Sequence, residues 1–112
     1  MIFITGPLYS GKRTFAQKIS GQDTKTLADV QALAAGIAAP GELEALADRL
    51  ASEYDILIAT EVGGGVVPMD AKERADRESA GRLACLLAAR AGCVVQLFCG
   101  IPTVLKGELP KC

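Results

Sequence analysis

Three short apolar runs divide the chain: residues 2–5 (IFIT), 55–60 (DILIAT) and 93–99 (CVVQLFC). Each is shorter than a helix normally is and stops at glycine or polar residues, which predicts buried strands. Between them apolar positions recur at helical spacing. Phe15 and Ile19 predict a helix over 12–20, with Gly21 as its stop. Residues 21–26 read as a polar loop. Leu27, Val30, Leu33 and Ala34 then predict a helical stretch opened by Thr26 and Asp29 as a capping pair, with a weak strand near 24–28 left open. Gly36 and Pro40–Gly41 break the pattern. Leu43, Leu46, Ala47 and Leu50 mark an amphipathic helix, with Glu42 and Glu44 in its first turn, where the helix dipole favours carboxylates. The stretch 61–68 (EVGGGVVP) is too rich in glycine for regular structure. A long helix is predicted over 70–91, capped by Asp70 and ended by Gly92, and Gly-Ile-Pro at 100–102 closes the third strand.

Strands that alternate with helices imply a parallel sheet with right-handed crossovers, and 112 residues suit one domain, 1–112. The expected fold is α/β, with a small, mostly parallel sheet of three to four strands and helices on both faces. All three strands end in glycine-containing turns. In a parallel sheet these turns share one edge, so they should converge on one ligand crevice.

Half of the residues are hydrophobic but only 4% are aromatic, so the core must be aliphatic. Twelve basic against 13 acidic side chains give a net charge of −1, which excludes the basic footprint of a nucleic-acid binder. No apolar run approaches ~18 residues, so no membrane span is expected. The absence of a signal-like N-terminus and of Cys-x-x-Cys pairs among Cys85, Cys93, Cys99 and Cys112 reads as a cytoplasmic protein with reduced thiols. The chain has no histidine, which removes the commonest general base.

Residues 6–14 (GPLYSGKRT) nearly spell the phosphate-binding loop Gly-x-x-x-x-Gly-Lys-Ser/Thr between a strand and a helix. Gly6 and Gly11 let the backbone curl so that N–H groups, including that of Ser10, face phosphate oxygens. Lys12 can reach the β- and γ-phosphates. Arg13 stands where a hydroxyl would ligate Mg²⁺. Thr14 carries a hydroxyl, but one residue on it has turned about 100° around the helix. Arg13 either neutralises phosphate charge or is a solvated helix residue. Glu61, at the end of the second strand, can hold Mg²⁺ or orient a nucleophile, and Gly63 and Gly65 beside it permit close backbone approach. In the long helix Glu73–Arg77, Lys72–Asp76, Arg74–Glu78 and Glu78–Arg82 are opposite charges four apart; Arg77 or Arg82 can alternatively face the phosphate crevice.

Taken together, residues 5–17 (TGPLYSGKRTFAQ), 59–88 and 93–106 resemble the adenosylcobinamide kinase / adenosylcobinamide-phosphate guanylyltransferase family of cobalamin synthesis. Glu61, Val62, Gly63, Gly65, Val67 and Pro68 match its Glu-Val-Gly-x-Gly-x-Val-Pro stretch, and Arg77, Glu78, Gly81 and Arg82 approximate its Arg-Asp-x-x-Gly-Arg pattern. The resemblance implies a P-loop NTPase-like three-layer fold, often trimeric. It implies phosphorylation of adenosylcobinamide with ATP or GTP, followed by GMP transfer through a histidine. Lacking histidine, and carrying Arg13 in the loop, this chain reads as a shortened member in which the guanylyl step is closed. Residues 22–54 stand outside the resemblance. The expected function is a nucleotide-dependent phosphotransferase with Lys12 and Glu61 in catalytic roles. The alternative is a catalytically inactive nucleotide- or phosphate-binding module that regulates or partners another enzyme. Exposed edges of a small sheet make a homo-oligomer the expected state.

Overall fold

The computed structural model describes residues 1–7, 11–37, 39–60 and 71–108. In chain order its elements are β1 (Ile2–Gly6), α1 (Lys12–Ile19), β2 (Thr26–Leu27), a 3₁₀ segment (Val30–Ala34), α2 (Pro40–Glu53), β3 (Ile56–Thr60), α3 (Ala71–Arg90), β4 (Cys93–Phe98) and β5 (Ile101–Lys106). Five strands form one sheet in the order β2-β3-β1-β4-β5. β2, β3, β1 and β4 are parallel, and β5 runs antiparallel on the β4 edge. The α/β class and the mostly parallel sheet are as expected. The strand count of three to four is too low.

Both additional strands are marginal for physical reasons. β2 is two residues long, and it converts the start of the expected helical stretch into sheet: Thr26 pairs with Ile56 and does not cap a helix. Asp29 adopts a left-handed φ of 57° without a side-chain cap, and only a 3₁₀ segment follows it. β5 contains Pro102, which reads as a strand breaker. A proline is tolerated on an edge strand, because one side of the strand needs no donor. The hairpin before β5 turns on Cys99 and Gly100, both at positive φ (52° and 77°). This is the backbone required by a tight two-residue turn. Pro40 and Gly41 do not break the chain; they open α2, where proline at N1 forfeits only a donor that the helix leaves unpaired.

Alternation along the strands sends side chains to two cores. On one face Ile4, Ile56, Ile58 and Leu97 pack with Ala16 of α1. On the other Phe3, Leu57 and Val94 meet α2 and α3 through Leu43, Leu50, Leu83 and Leu87. The sheet is thus the middle of three layers, with α1 on one side and α2 and α3 on the other. Among the described residues no helix is long and apolar enough to cross a membrane.

Candidate functional site

The register of the central strands decides where a ligand can sit. β1 pairs with β3 from Ile2↔Ile56 to Gly6↔Thr60, so the two strands end level. From Gly6 the chain leaves toward α1 on one face of the sheet; the helix that follows β3 lies on the other face. Adjacent strands whose connections part in this way open a crevice beyond their carboxyl ends.

Gly11 caps α1 in the left-handed region (φ 88°), a conformation that glycine adopts without penalty. A Cβ at Gly11 would lie 3.4 Å from the Gly100 Cα, so the turn before α1 and the β4–β5 turn touch. Two of the three glycine turns therefore converge as expected; the third, 61–68, lies outside the described residues. Lys12 is only 7% exposed, and its Nζ donates to the Pro7 carbonyl oxygen at 2.6 Å. A lysine is rarely this buried without a partner, and here the start of the loop provides one. The result is an ammonium folded over the loop at the N-terminus of α1, where the helix dipole adds positive potential.

On the α3 side of the sheet a cavity of about 260 Å³ lies between the ends of β1 and β3, the 3₁₀ segment and α3. Thr5, Gln31 and Thr60 supply its polar lining. Gln31 Oε1 accepts the Thr60 N–H at 3.0 Å, tying the 3₁₀ segment to the end of β3. Sequence reading passed over all three residues. Thr60 was visible as the polar end of an apolar run, but Gln31 gave no signal inside an apparently helical stretch.

The other expected site residues are distributed unevenly. Gly6, Gly11 and Lys12 come together. Ser10, Glu61, Gly63 and Gly65 lie outside the described residues. The Arg13 guanidinium pairs with Asp29 at 2.7 Å on an exposed surface. Thr14 is exposed on α1. Arg82 bonds Glu78 at 2.9 Å, the four-apart pair expected from spacing. It lines a separate groove of about 650 Å³ between α2 and α3. Arg77 is half-buried in the N-terminal half of α3. Asp76, expected opposite Lys72, accepts the Gly36 N–H at 3.0 Å.

Position 13 offers a guanidinium engaged elsewhere, and the described residues contain no cluster of three carboxylate, thiol or imidazole donors. Away from the crevice, burial pushes the Cys93 thiol up, against a smaller downward pull from the N-terminal ammonium.

Two comparisons bear on this arrangement. Residues 37–105 match the family described as cobinamide kinase / cobinamide phosphate guanyltransferase. The match takes in α2, which the sequence reading had set outside the resemblance, and it starts after the phosphate-loop residues 6–14. No curated protein matches the chain.

Proposed function

This chain belongs to the cobinamide kinase / cobinamide phosphate guanyltransferase family, and from that premise we propose that it binds ATP or GTP at residues 6–14 and transfers the terminal phosphoryl group to the hydroxyl of adenosylcobinamide. The observation that carries this reading is the Gly11–Lys12 corner. A buried lysine, a left-handed glycine and a helix N-terminus meet at the end of the central strand. Bound nucleotide supplies the phosphoryl group. The protein's part is to hold charge in place, which is most of what this reaction asks of an enzyme. The acceptor oxygen bonds the γ-phosphorus while the bond from that phosphorus to the β–γ bridging oxygen breaks. The nucleoside diphosphate leaves with the electron pair, and the hydroxyl proton passes to solvent. Lys12 exchanges the Pro7 carbonyl for phosphate oxygens, helped by the Gly6, Ser10 and Gly11 backbone. Arg77 and Arg82 of α3 are the further cationic candidates in this reading, Arg82 being paired with Glu78. Thr14 and Glu61 are the residues that would hold Mg²⁺. Guanylyl transfer by way of a histidine has no residue to use.

A second reading has its own observation. With Arg13 held by Asp29, the loop lacks both the hydroxyl and a free cation at that position, which suits a module that binds nucleotide without turnover. Both readings take one domain, a cytoplasmic setting in which Cys85, Cys93 and Cys99 stay unpaired, and self-association through the exposed β5 edge.

Calorimetric titration of ATP and GTP, with and without Mg²⁺, tests the loop. Truncation of Lys12 to alanine should weaken binding roughly 10- to 100-fold, as expected for a charge-assisted contact. Equal affinity in the two proteins removes Lys12 from the site. Phosphate transfer from labelled nucleotide to adenosylcobinamide then separates enzyme from binding module.

A further inference from the structure

The carboxyl end of β3 is short of a strand partner on one side. β3 pairs with β1 as far as Gly6↔Thr60, but β2 on its other side stops at Leu27, level with Leu57. The Ile56 N–H faces that side and donates to the carbonyl of Lys25, just before β2, at 3.1 Å. Strand N–H groups alternate in direction with a period of two, so the Ile58 and Thr60 N–H groups face the same side. At the level of Thr60 β2 has already ended, and a part-buried backbone donor left without an acceptor costs free energy. Gln31 fills the gap. Its Oε1 accepts the Thr60 N–H at 3.0 Å, so a side chain supplies the rung that the short strand does not.

Gln31 is itself held from both ends of the 3₁₀ segment. Val30 and Ala34 are buried in one core with Ala80 and Leu83 of α3. After the segment, Asp76 accepts the Gly36 N–H at 3.0 Å and the Ser79 hydroxyl donates to the Ile37 carbonyl at 2.6 Å. Before it, Asp29 pairs with Arg13 of α1. Thr60 therefore stands between an anchored Gln31 and Gly6, its level partner in β1. Gly6 opens the phosphate loop, and the Lys12 ammonium bonds the carbonyl of the next residue, Pro7. Thr60 is also the last residue before Glu61. We propose that Gln31 is a positioning residue for phosphoryl transfer. By holding the Thr60 main chain it fixes the end of β3 against the start of the phosphate loop, and with it the point from which Glu61 departs. The proposal rests on the phosphotransfer reading above and adds to it a residue that lies outside the stretch 37–105 matched by the family. Gln31 acts through the main chain of its neighbour, so its effect belongs to the rate of the bound complex and not to nucleotide affinity.

Two variants of the full chain separate the bond from the side chain. Gln31→Met keeps the length and removes the acceptor, and Gln31→Glu restores an acceptor. Hydrogen exchange of the Thr60 amide, followed by NMR, reports the bond. Phosphate transfer from labelled nucleotide to adenosylcobinamide reports its consequence. In Gln31→Met the Thr60 amide should exchange at least about tenfold faster. Its kcat should fall roughly 10- to 100-fold, a loss of the size that misplacement by about 1 Å brings. Nucleotide affinity should stay within about threefold of wild type and Tm within about 4 °C. Gln31→Glu should return both Thr60 protection and kcat to within about fivefold of wild type. A faster Thr60 amide with unchanged kcat reduces Gln31 to a strand cap and overturns the proposal. Thr60 exchange that Gln31→Met leaves unchanged overturns it too, as does a loss of kcat that Gln31→Glu does not recover. In each of these cases the wild type still turns over, and the phosphotransfer reading stands. A wild type that binds nucleotide through Lys12 without turnover removes the phosphotransfer reading, and the positioning role falls with it.

Discussion

Gly107 follows β5 with φ at +70°, and a Cβ there would collide with the Gly92 carbonyl oxygen. Backbone strain and a clash with another stretch of main chain act together, so no side-chain rearrangement relieves them. Gly107→Ala should destabilise by roughly 2 kcal/mol or more, measured as a fall in the urea midpoint. An unchanged midpoint would show that the β5 end does not hold this backbone. The neighbouring strand β4 holds a thiol whose titration burial shifts. Cys93 is 4% exposed, and burial holds its thiol above the ordinary thiol value. Below that ordinary value both folded and unfolded chains keep the proton, and the contribution to stability is complete. Above it the unfolded chain ionises first, so stability falls as pH rises through the thiol range toward the higher native value. Chemical denaturation across alkaline pH should therefore show a steeper decline for the wild type than for Cys93→Ala. Parallel curves would assign the decline to other groups.

Elements were legible in proportion to how much of their pattern was local. α1, β3 and β4 fall where apolar spacing puts them, because α1 buries one face against the sheet, β3 and β4 are buried within it, and each ends at a glycine or polar stop. The 3₁₀ segment was misread as a helical stretch, and β2 was left only as an open possibility near 24–28, because two residues of strand and one tight turn carry too little periodicity to outweigh Leu27, Val30 and Leu33 at helical spacing. The pairing of Thr26 and Leu27 with Ile56 and Leu57, and the bond the Lys25 N–H donates to Asp55 Oδ2, settle them, and these are long-range. The Gly-x-x-x-x-Gly-Lys spacing at 6–12 was legible as a pattern, whereas the fate of Arg13 was not, since Asp29 is sixteen residues away. That ion pair is exposed on both sides and worth at most about 1 kcal/mol. Replacing Arg13 by serine should therefore barely move Tm while restoring a hydroxyl at the Mg²⁺ position. Nucleotide affinity that gains roughly tenfold in Mg²⁺ dependence would identify Arg13 as the residue that uncouples the loop from the ion. No gain would place the fault elsewhere in the site.

Across the whole molecule the two sides of the sheet end differently. β2 is two residues long and offers little edge. β5 is six residues long, every one exposed, and its edge carries an apolar strip on both faces of the sheet: Ile101 (66%) beside Phe98 (67%) of β4 on one, Val104 (42%) on the other, with Leu105 (57%) next to it in the chain. Such an edge presents unpaired backbone groups together with hydrophobic surface, which invites another strand. Lys106 does not shield it, since its Nζ is drawn back to the Ala88 and Ala89 carbonyls at the end of α3. Pro102 limits how far a partner strand can extend its ladder, but it leaves the apolar strip intact. A second copy of the chain should therefore associate here in solution, and sedimentation velocity should show a concentration-dependent oligomer. Introducing charge at Ile101→Lys and Val104→Lys should shift that distribution to monomer. Because both side chains are already exposed, monomer stability should change by no more than about 0.5 kcal/mol. A wild type that stays monomeric at high concentration would refute the edge as an interface. An oligomer that survives both lysines would place the contact on another face.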